Sequence, residues 1–133
     1  MRVILDTNVF VSAVFFGGIP LSIVDKWRAG GFTLVVTEEI LAEYRIVCDR
    51  LTSRFRGLDP RPHLEMVEVN AEMYTAIPIL ETVSADPDDD KFIACALACN
   101  GKLIVSGDKH LLDVNGYRGI EVLKPREFAD RYL

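Results

Sequence analysis

Soft metal ligands are scarce in this chain. Its 133 residues include two histidines, His63 and His110, and three cysteines, Cys48, Cys95 and Cys99. An odd count with two members on one predicted helix excludes a disulfide framework. No Cys or His pair stands near Cys95 and Cys99 to complete a tetrahedral zinc site. Both lie among Ala94, Ala96, Leu97 and Ala98, which reads as small buried residues of a reduced compartment. No apolar run approaches the roughly 20 residues of a membrane span. Met1 leads straight into Arg2-Val3-Ile4-Leu5-Asp6, without the basic start, long apolar stretch and small-residue cleavage site of a signal peptide. A cytoplasmic protein with no membrane contact is expected. Also missing are a GxSxG turn, a Ser/His/Asp order and a Gly-rich loop ending in Gly-Lys-Ser/Thr, so neither triad hydrolysis nor a P-loop is available.

What is present is apolar residue, half of the total, enough to build a core without staples. There are no repeats, linkers or low-complexity tracts, and residues 1–133 read as a single domain. Short β-like runs alternate with longer helical ones, the pattern of βαβ units. Strands are predicted at Val3–Leu5, Phe32–Val36, roughly Ile77–Leu80, Leu103–Val105 and Ile120–Leu123. Three of them are near-continuous apolar runs, as strands covered on both faces require. Helices are predicted from about Val9 to Phe16, from Pro20 to Gly30-Gly31, after the cap Thr37, from Asp59-Pro60 to about Tyr74, from Asp86-Pro87 to Asn100-Gly101, and over Pro125–Tyr132. The fold class that follows is a three-layer α/β/α sandwich around a parallel sheet of about five strands, with right-handed crossovers. In such sheets ligands gather at the carboxyl ends of the strands, where the strand order reverses.

The net charge of −5 does not by itself suggest a polyanion partner. Its distribution is uneven. Between Arg45 and Arg61 five arginines (Arg45, Arg50, Arg54, Arg56, Arg61) face two aspartates, Asp49 and Asp59. Four aspartates crowd into Asp86-Pro87-Asp88-Asp89-Asp90. A basic stretch beside an acidic cluster suits a protein that holds a polyanion while carboxylates bind a cation. The plainer reading is a solvated, arginine-rich helix end.

The strand ends show where those carboxylates belong. The first strand ends in Asp6-Thr7-Asn8 and the fourth in Ser106-Gly107-Asp108, where the glycine is expected to permit a tight turn. A turn or helix-cap aspartate is the bland alternative for each. Glu43 is the most telling acid. Ile40, Ile46 and Val47 stand three before, three after and four after it, so it projects from an apolar helix face, where a carboxylate needs a partner or a cation. A salt bridge to Arg45 or Arg50 is the rival reading. Asp86 reads as a helix N-cap and Asp88 as solvated. Asp89 aligns with Phe92, Ile93 and Ala96, and Asp90 with Ile93, Ala94 and Leu97, so periodicity does not separate them. Acids converging on one point repel unless a cation joins them, and oxygen donors suit Mg²⁺ or Mn²⁺. Such a site polarises a phosphoryl oxygen and generates hydroxide for in-line attack.

Taken together, Leu5-Asp6-Thr7-Asn8, Glu43, Asp86-Pro87-Asp88-Asp89 and Val105-Ser106-Gly107-Asp108-Lys109 resemble the PIN-domain family, in particular its bacterial and archaeal toxin-like branch related to the VapC toxins. The resemblance extends from the first strand to Lys124-Pro125-Arg126-Glu127-Phe128. It implies a sheet ordered 3-2-1-4-5, divalent-metal-dependent cleavage of RNA, an antitoxin protein as partner, and a homodimer. Asp6, Glu43, Asp89 and Asp108 match the family's acidic quartet. The Asp-Pro-x-Asp pattern ends at Asp89, although the 18-residue step from Asp90 to Asp108 also occurs in relatives, which keeps Asp90 as the alternative acid. Asn8 and Ser106 match polar positions beside the site. The resemblance thus implies Asp6, Asp89 and Asp108 as holders of Mg²⁺ or Mn²⁺, with Glu43 completing the shell or orienting water. Arg45, Arg50, Arg54 and Arg56 become candidates for gripping RNA, and Tyr44 and Phe55 for stacking bases, with core packing the stronger reading for Tyr44.

Two other classes remain in view. One is a non-catalytic PIN-like module that binds RNA or protein through the same surface. The other is a phosphotransfer receiver domain, which needs an acidic pair after the first strand and an aspartate after the third. Here Asn8 follows Asp6-Thr7, and neither Val36 nor Leu80 precedes an aspartate. An Asp-x-Asp phosphatase fails on the same Asn8.

Overall fold

Val3, Ile4, Leu5, Leu34, Val35, Val36, Ile104 and Val105 have no exposed surface, the burial of strands covered on both faces. They belong to β1 (Arg2–Leu5), β2 (Thr33–Val36) and β4 (Leu103–Val105) of a computed structural model that describes residues 1–79, 81 and 83–133. With β3 (Glu72–Met73) and β5 (Glu121–Leu123) these form one five-stranded sheet ordered β3-β2-β1-β4-β5. Every pairing is parallel, with Ile4 opposite Ile104 and Leu5 opposite Val105 at the central seam. The chain moves outward from β1 to β3 and then returns to lay β4 on the other side of β1. The reversal point is therefore the β1–β4 seam.

Helices α1 (Thr7–Phe15), α2 (Gly18–Arg28), α3 (Glu38–Thr52), α4 (Arg61–Asn70), α5 (Asp90–Cys99), α6 (Lys109–Leu112) and α7 (Pro125–Tyr132) flank the sheet, giving the expected α/β/α sandwich. Gly17, just before α2, and Gly18, its first residue, have φ of 74° and 68°, positive values that other residues resist. Thr37 caps α3, its hydroxyl oxygen accepting the Ile40 N–H at 3.3 Å. The core joins both layers: Phe10 of α1 stacks on Tyr44 of α3 at 4.4 Å between ring centroids, and Phe128 of α7 meets Phe32 edge-on at 5.6 Å. Cys48, Cys95 and Cys99 are free and buried. No single helix among the described residues is long and apolar enough to cross a membrane.

Four local expectations are corrected. The third strand is Glu72–Met73, not Ile77–Leu80. Pro78 has no N–H to donate to a ladder, Ile77 is 83% exposed, and Leu80 lies outside the described residues. The fourth helix stops at Asn70 rather than Tyr74, because Ala71 turns extended (φ −74°, ψ 150°) and releases the chain to pair with β2. The short helix α6 follows Asp108 directly, where no helix was predicted. Gly107 is not in the left-handed region, and a Cβ there would meet nothing within 4 Å; the turn after β4 does not need a glycine.

Candidate active site

The seam between β1 and β4 delivers two acids to one rim. The Asp6 backbone N–H donates to the Val105 carbonyl at 2.9 Å, continuing the ladder one residue beyond β1. This fixes the Asp6 carboxylate above the seam, where it is 5% exposed. Ser106, which has no exposed surface, donates its hydroxyl to Asp6 Oδ2 at 2.6 Å, and its oxygen accepts the Asp108 N–H at 2.9 Å. One serine thus sets the distance between the two strand-end acids. Asp108 also caps α6, its Oδ1 accepting the His110 N–H at 3.3 Å.

The third acid arrives from the start of α5. Asp86 accepts the Asp88 N–H at 3.0 Å and caps the 3₁₀ turn Pro87–Asp89. The turn buries Asp89 to 7% exposure, within hydrogen-bonding reach of Asp108. Asp90 faces elsewhere: its Oδ1 accepts the Ser84 N–H at 3.1 Å, and it borders a cavity with Glu39, Ile77 and Ala94. Periodicity left the two aspartates equivalent, whereas the structure turns Asp89 toward Asp6 and Asp108. Ser84, which sequence reasoning missed, is buried and donates its hydroxyl to Asp89 Oδ2 at 3.4 Å. Its place in a non-periodic loop offers no local signal.

Burial and mutual repulsion make these acids reluctant anions. The Asp89 carboxyl is raised to about 7, first by burial, then by its contact with Asp108 and by the charges of Asp108, Asp6 and Asp86. Asp6 is raised as well, chiefly by burial and then by the charges of Asp108 and Glu43. The Ser106 hydroxyl opposes that rise. Asn8 is exposed, and the Asp6 side chain makes no capping bond to α1.

Glu43 stands beside this group on α3 without an arginine partner. Its Oε1 accepts from Lys91 Nζ at 2.7 Å and its Oε2 from the Thr7 hydroxyl. The Arg45 and Arg50 pairings considered from sequence are not made: Arg45 binds Glu68 at 2.5 Å. The helix phase used to place Glu43 is also corrected at Ile46, which is 59% exposed, since the buried face of α3 runs through Ile40, Leu41, Tyr44 and Cys48. Tyr44 is wholly buried, its hydroxyl donating to the Leu5 carbonyl at 2.5 Å, so it stacks no base. Phe55 is 37% exposed, edge-on to the exposed Phe16. Arg50, Arg54 and Arg56 are exposed, and no ion pair holds them among the described residues.

Among the described residues no group of three or more Asp, Glu, His or Cys side chains is placed to hold a metal ion. Mg²⁺ does not require three, because it keeps several waters and binds through one or two carboxylates. The donor chemistry fits such an ion: Asp6, Asp89 and Asp108 offer only oxygen, and two of them are buried where a cation would relieve their repulsion. A family model described as a PIN domain matches residues 2–110. No curated protein matches the chain.

Proposed function

The chain belongs to the PIN-domain family, a nuclease fold, and on that premise we propose that it is a divalent-metal-dependent endoribonuclease that hydrolyses RNA phosphodiester bonds. The observation that supports this reading is the approach of Asp6, Asp89 and Asp108 at the strand-order reversal, with the carboxyls of Asp6 and Asp89 pushed upward chiefly by burial and then by the neighbouring acids. Asp6, Asp89 and Asp108 would hold Mg²⁺ or Mn²⁺. A bound ion supplies polarisation of the scissile phosphate and a water of lowered pKa.

The protein's own part is positional. Ser106 and Ser84 aim the carboxylates of Asp6 and Asp89, and Glu43 orients the attacking water beside them. Arg50, Arg54 and Arg56 hold the RNA backbone, with Arg45 more weakly engaged because Glu68 already pairs with it. Their contribution makes affinity fall steeply with salt. In the cell we assign the protein to the toxin-like, VapC-related branch, as a homodimer neutralised by an antitoxin.

The test is cleavage of a panel of RNAs in Mg²⁺, Mn²⁺ or EDTA, with Asp6→Asn beside the wild type. We expect cleavage with either ion, none in EDTA, and a loss of about 100-fold or more in the variant, the several kcal/mol that metal-assisted hydrolysis supplies. Equal cleavage by the variant would mark a contaminant, and RNA binding without any cleavage would assign a non-catalytic module. Growth arrest on expression of wild type but not Asp6→Asn would support the toxin assignment.

A further inference from the structure

Two aromatic side chains reach solvent where the helices that leave the acid cluster end. Phe16, 61% exposed, closes α1, which starts directly after Asp6; Phe55, 37% exposed, follows α3, which carries Glu43. Their rings meet edge-on at 5.1 Å, and the buried Phe15 lies 6.1 Å from Phe55 between ring centroids. The winding of α3 continues to this point: Ser53 is in the right-handed helical region, and the Phe55 N–H donates to the Leu51 carbonyl at 2.9 Å. On that winding Arg50 and Arg54, seven and eleven residues after Glu43, share its face. Both are exposed, and like Arg56 they have no ion-pair partner among the described residues. From Glu43 to Arg54 the helix rises by roughly 16 Å, the reach of a few nucleotides of one strand.

A protein partner would call for a broad apolar centre depleted of charge. Here the apolar surface is two rings, with Arg54 and Arg56 on either side of Phe55 in the chain. An unpaired nucleotide matches both features, since its base offers a flat face to a ring and its phosphate a charge to a guanidinium. We infer that Phe16 and Phe55 form a stacking platform for an unpaired base of the RNA, on a strand that leaves the acid cluster across Arg50 and Arg54. The substrate is then single-stranded on that side of the cut, because a duplex keeps its base faces stacked inside. This rests on the reading of the chain as an enzyme that cleaves RNA. Phe16 and Phe55 bind and take no part in the chemistry.

The experiment is anisotropy titration of an end-labelled, unstructured RNA strand, and of the same strand in a duplex, with the full chain in EDTA, where metal-dependent cleavage is silent. We expect single-strand affinity to fall about tenfold in Phe55→Ala and in Phe55→Leu, which keeps the bulk without the ring, and to be kept in Phe55→Trp. Phe16→Ala should weaken it in the same direction. Duplex affinity should not move in any ring variant. Arg54→Gln should flatten the salt dependence, which the ring variants should leave as it is. Wild-type affinity in folded Phe55→Leu and Phe16→Ala, or equal weakening on single strand and duplex, would overturn the platform while leaving RNA cleavage in place. So would a dimer that Phe55→Ala dissociates in sedimentation with RNA affinity unchanged, which would give the rings to a second copy of the chain. Phe16→Ala, at an exposed position, decides even if the Phe55 variants do not fold. Failure of every chain to bind either RNA, Asp6→Asn in Mg²⁺ included, would remove the RNA reading itself.

Discussion

Asp89 is the acid most compromised by its surroundings, buried beside Asp108 and under the influence of Asp6 and Asp86. Its amide analogue keeps the shape and removes the charge. Asp89→Asn should therefore lose RNA cleavage by about 100-fold or more and, without metal at about pH 8, melt several degrees above the wild type, the trade between a strained site and stability. A variant that loses activity and stability together would count against a repulsive cluster. Ser106→Ala tests the brace between the two strand ends. It removes the donor to Asp6 and the acceptor for the Asp108 N–H, and a loss of about 10- to 100-fold in Mn²⁺ affinity or activity is expected. Asp6 and Asp108 were legible in the sequence because one follows a buried strand directly and the other comes soon after one, past Ser106-Gly107, and Glu43 because a carboxylate on an apolar helix face demands a reason. Asp89 and Asp90 were not separable, since the first turn of α5 is a 3₁₀ turn whose phase is not that of the helix behind it. Ser84 and Lys91 left no trace at all. One acts from an irregular loop, and the other through a contact between α3 and α5 that no local period encodes.

Among the elements, α3 and β1 form the joint on which Glu43 and Asp6 are mounted. The Tyr44 hydroxyl ties them, donating to the Leu5 carbonyl one residue before Asp6, while its ring stacks on Phe10. Tyr44→Phe keeps the stack and leaves that buried carbonyl without its donor. Urea unfolding should report a loss of about 1–2 kcal/mol, and a neutral result would mean that the joint rests on ring packing alone. The central elements could be read in advance because β1, β2 and β4 are continuous apolar runs with sharp stops, and because Thr37 and Gly17-Gly18 are strong boundary signals. The periphery could not. β3 is two exposed residues recruited by pairing with β2, while the apolar Ile77–Ile79, which looks more like a strand, is broken by a proline. Strand character at that edge comes from a neighbour's free carbonyls and amides, not from the side chains of Glu72 and Met73.

At the scale of the whole molecule, the net charge of −5 conceals an acidic cluster and an arginine-rich segment, and folding must bring the acids together. That assembly links stability to pH. The carboxyls of Asp6 and Asp89 are raised in the folded protein, Asp89 to about 7 from an ordinary 3.8. Between those values the folded chain holds protons that the unfolded chain has released. Raising the pH through this window therefore favours unfolding, and the stabilising contribution of protonation is complete only below it. Two groups act in the opposite sense: His63 is lowered by its partial burial, and Cys99 is lowered to about 7 chiefly by the Cys95 thiol. Both are common to the wild type and Asp89→Asn, so the difference between the two melting curves reports the Asp89 carboxyl together with its interactions with Asp108, Asp6 and Asp86. In EDTA the wild type should lose ground to Asp89→Asn by about 5 °C or more between about pH 5 and about pH 8. Mn²⁺ should close much of that gap at the higher pH, since a cation replaces the protons and binds only the folded cluster of the wild type. If the two curves ran parallel in EDTA across the window, the acids would not be pressed together, and a melting temperature indifferent to Mn²⁺ would deny them an ion.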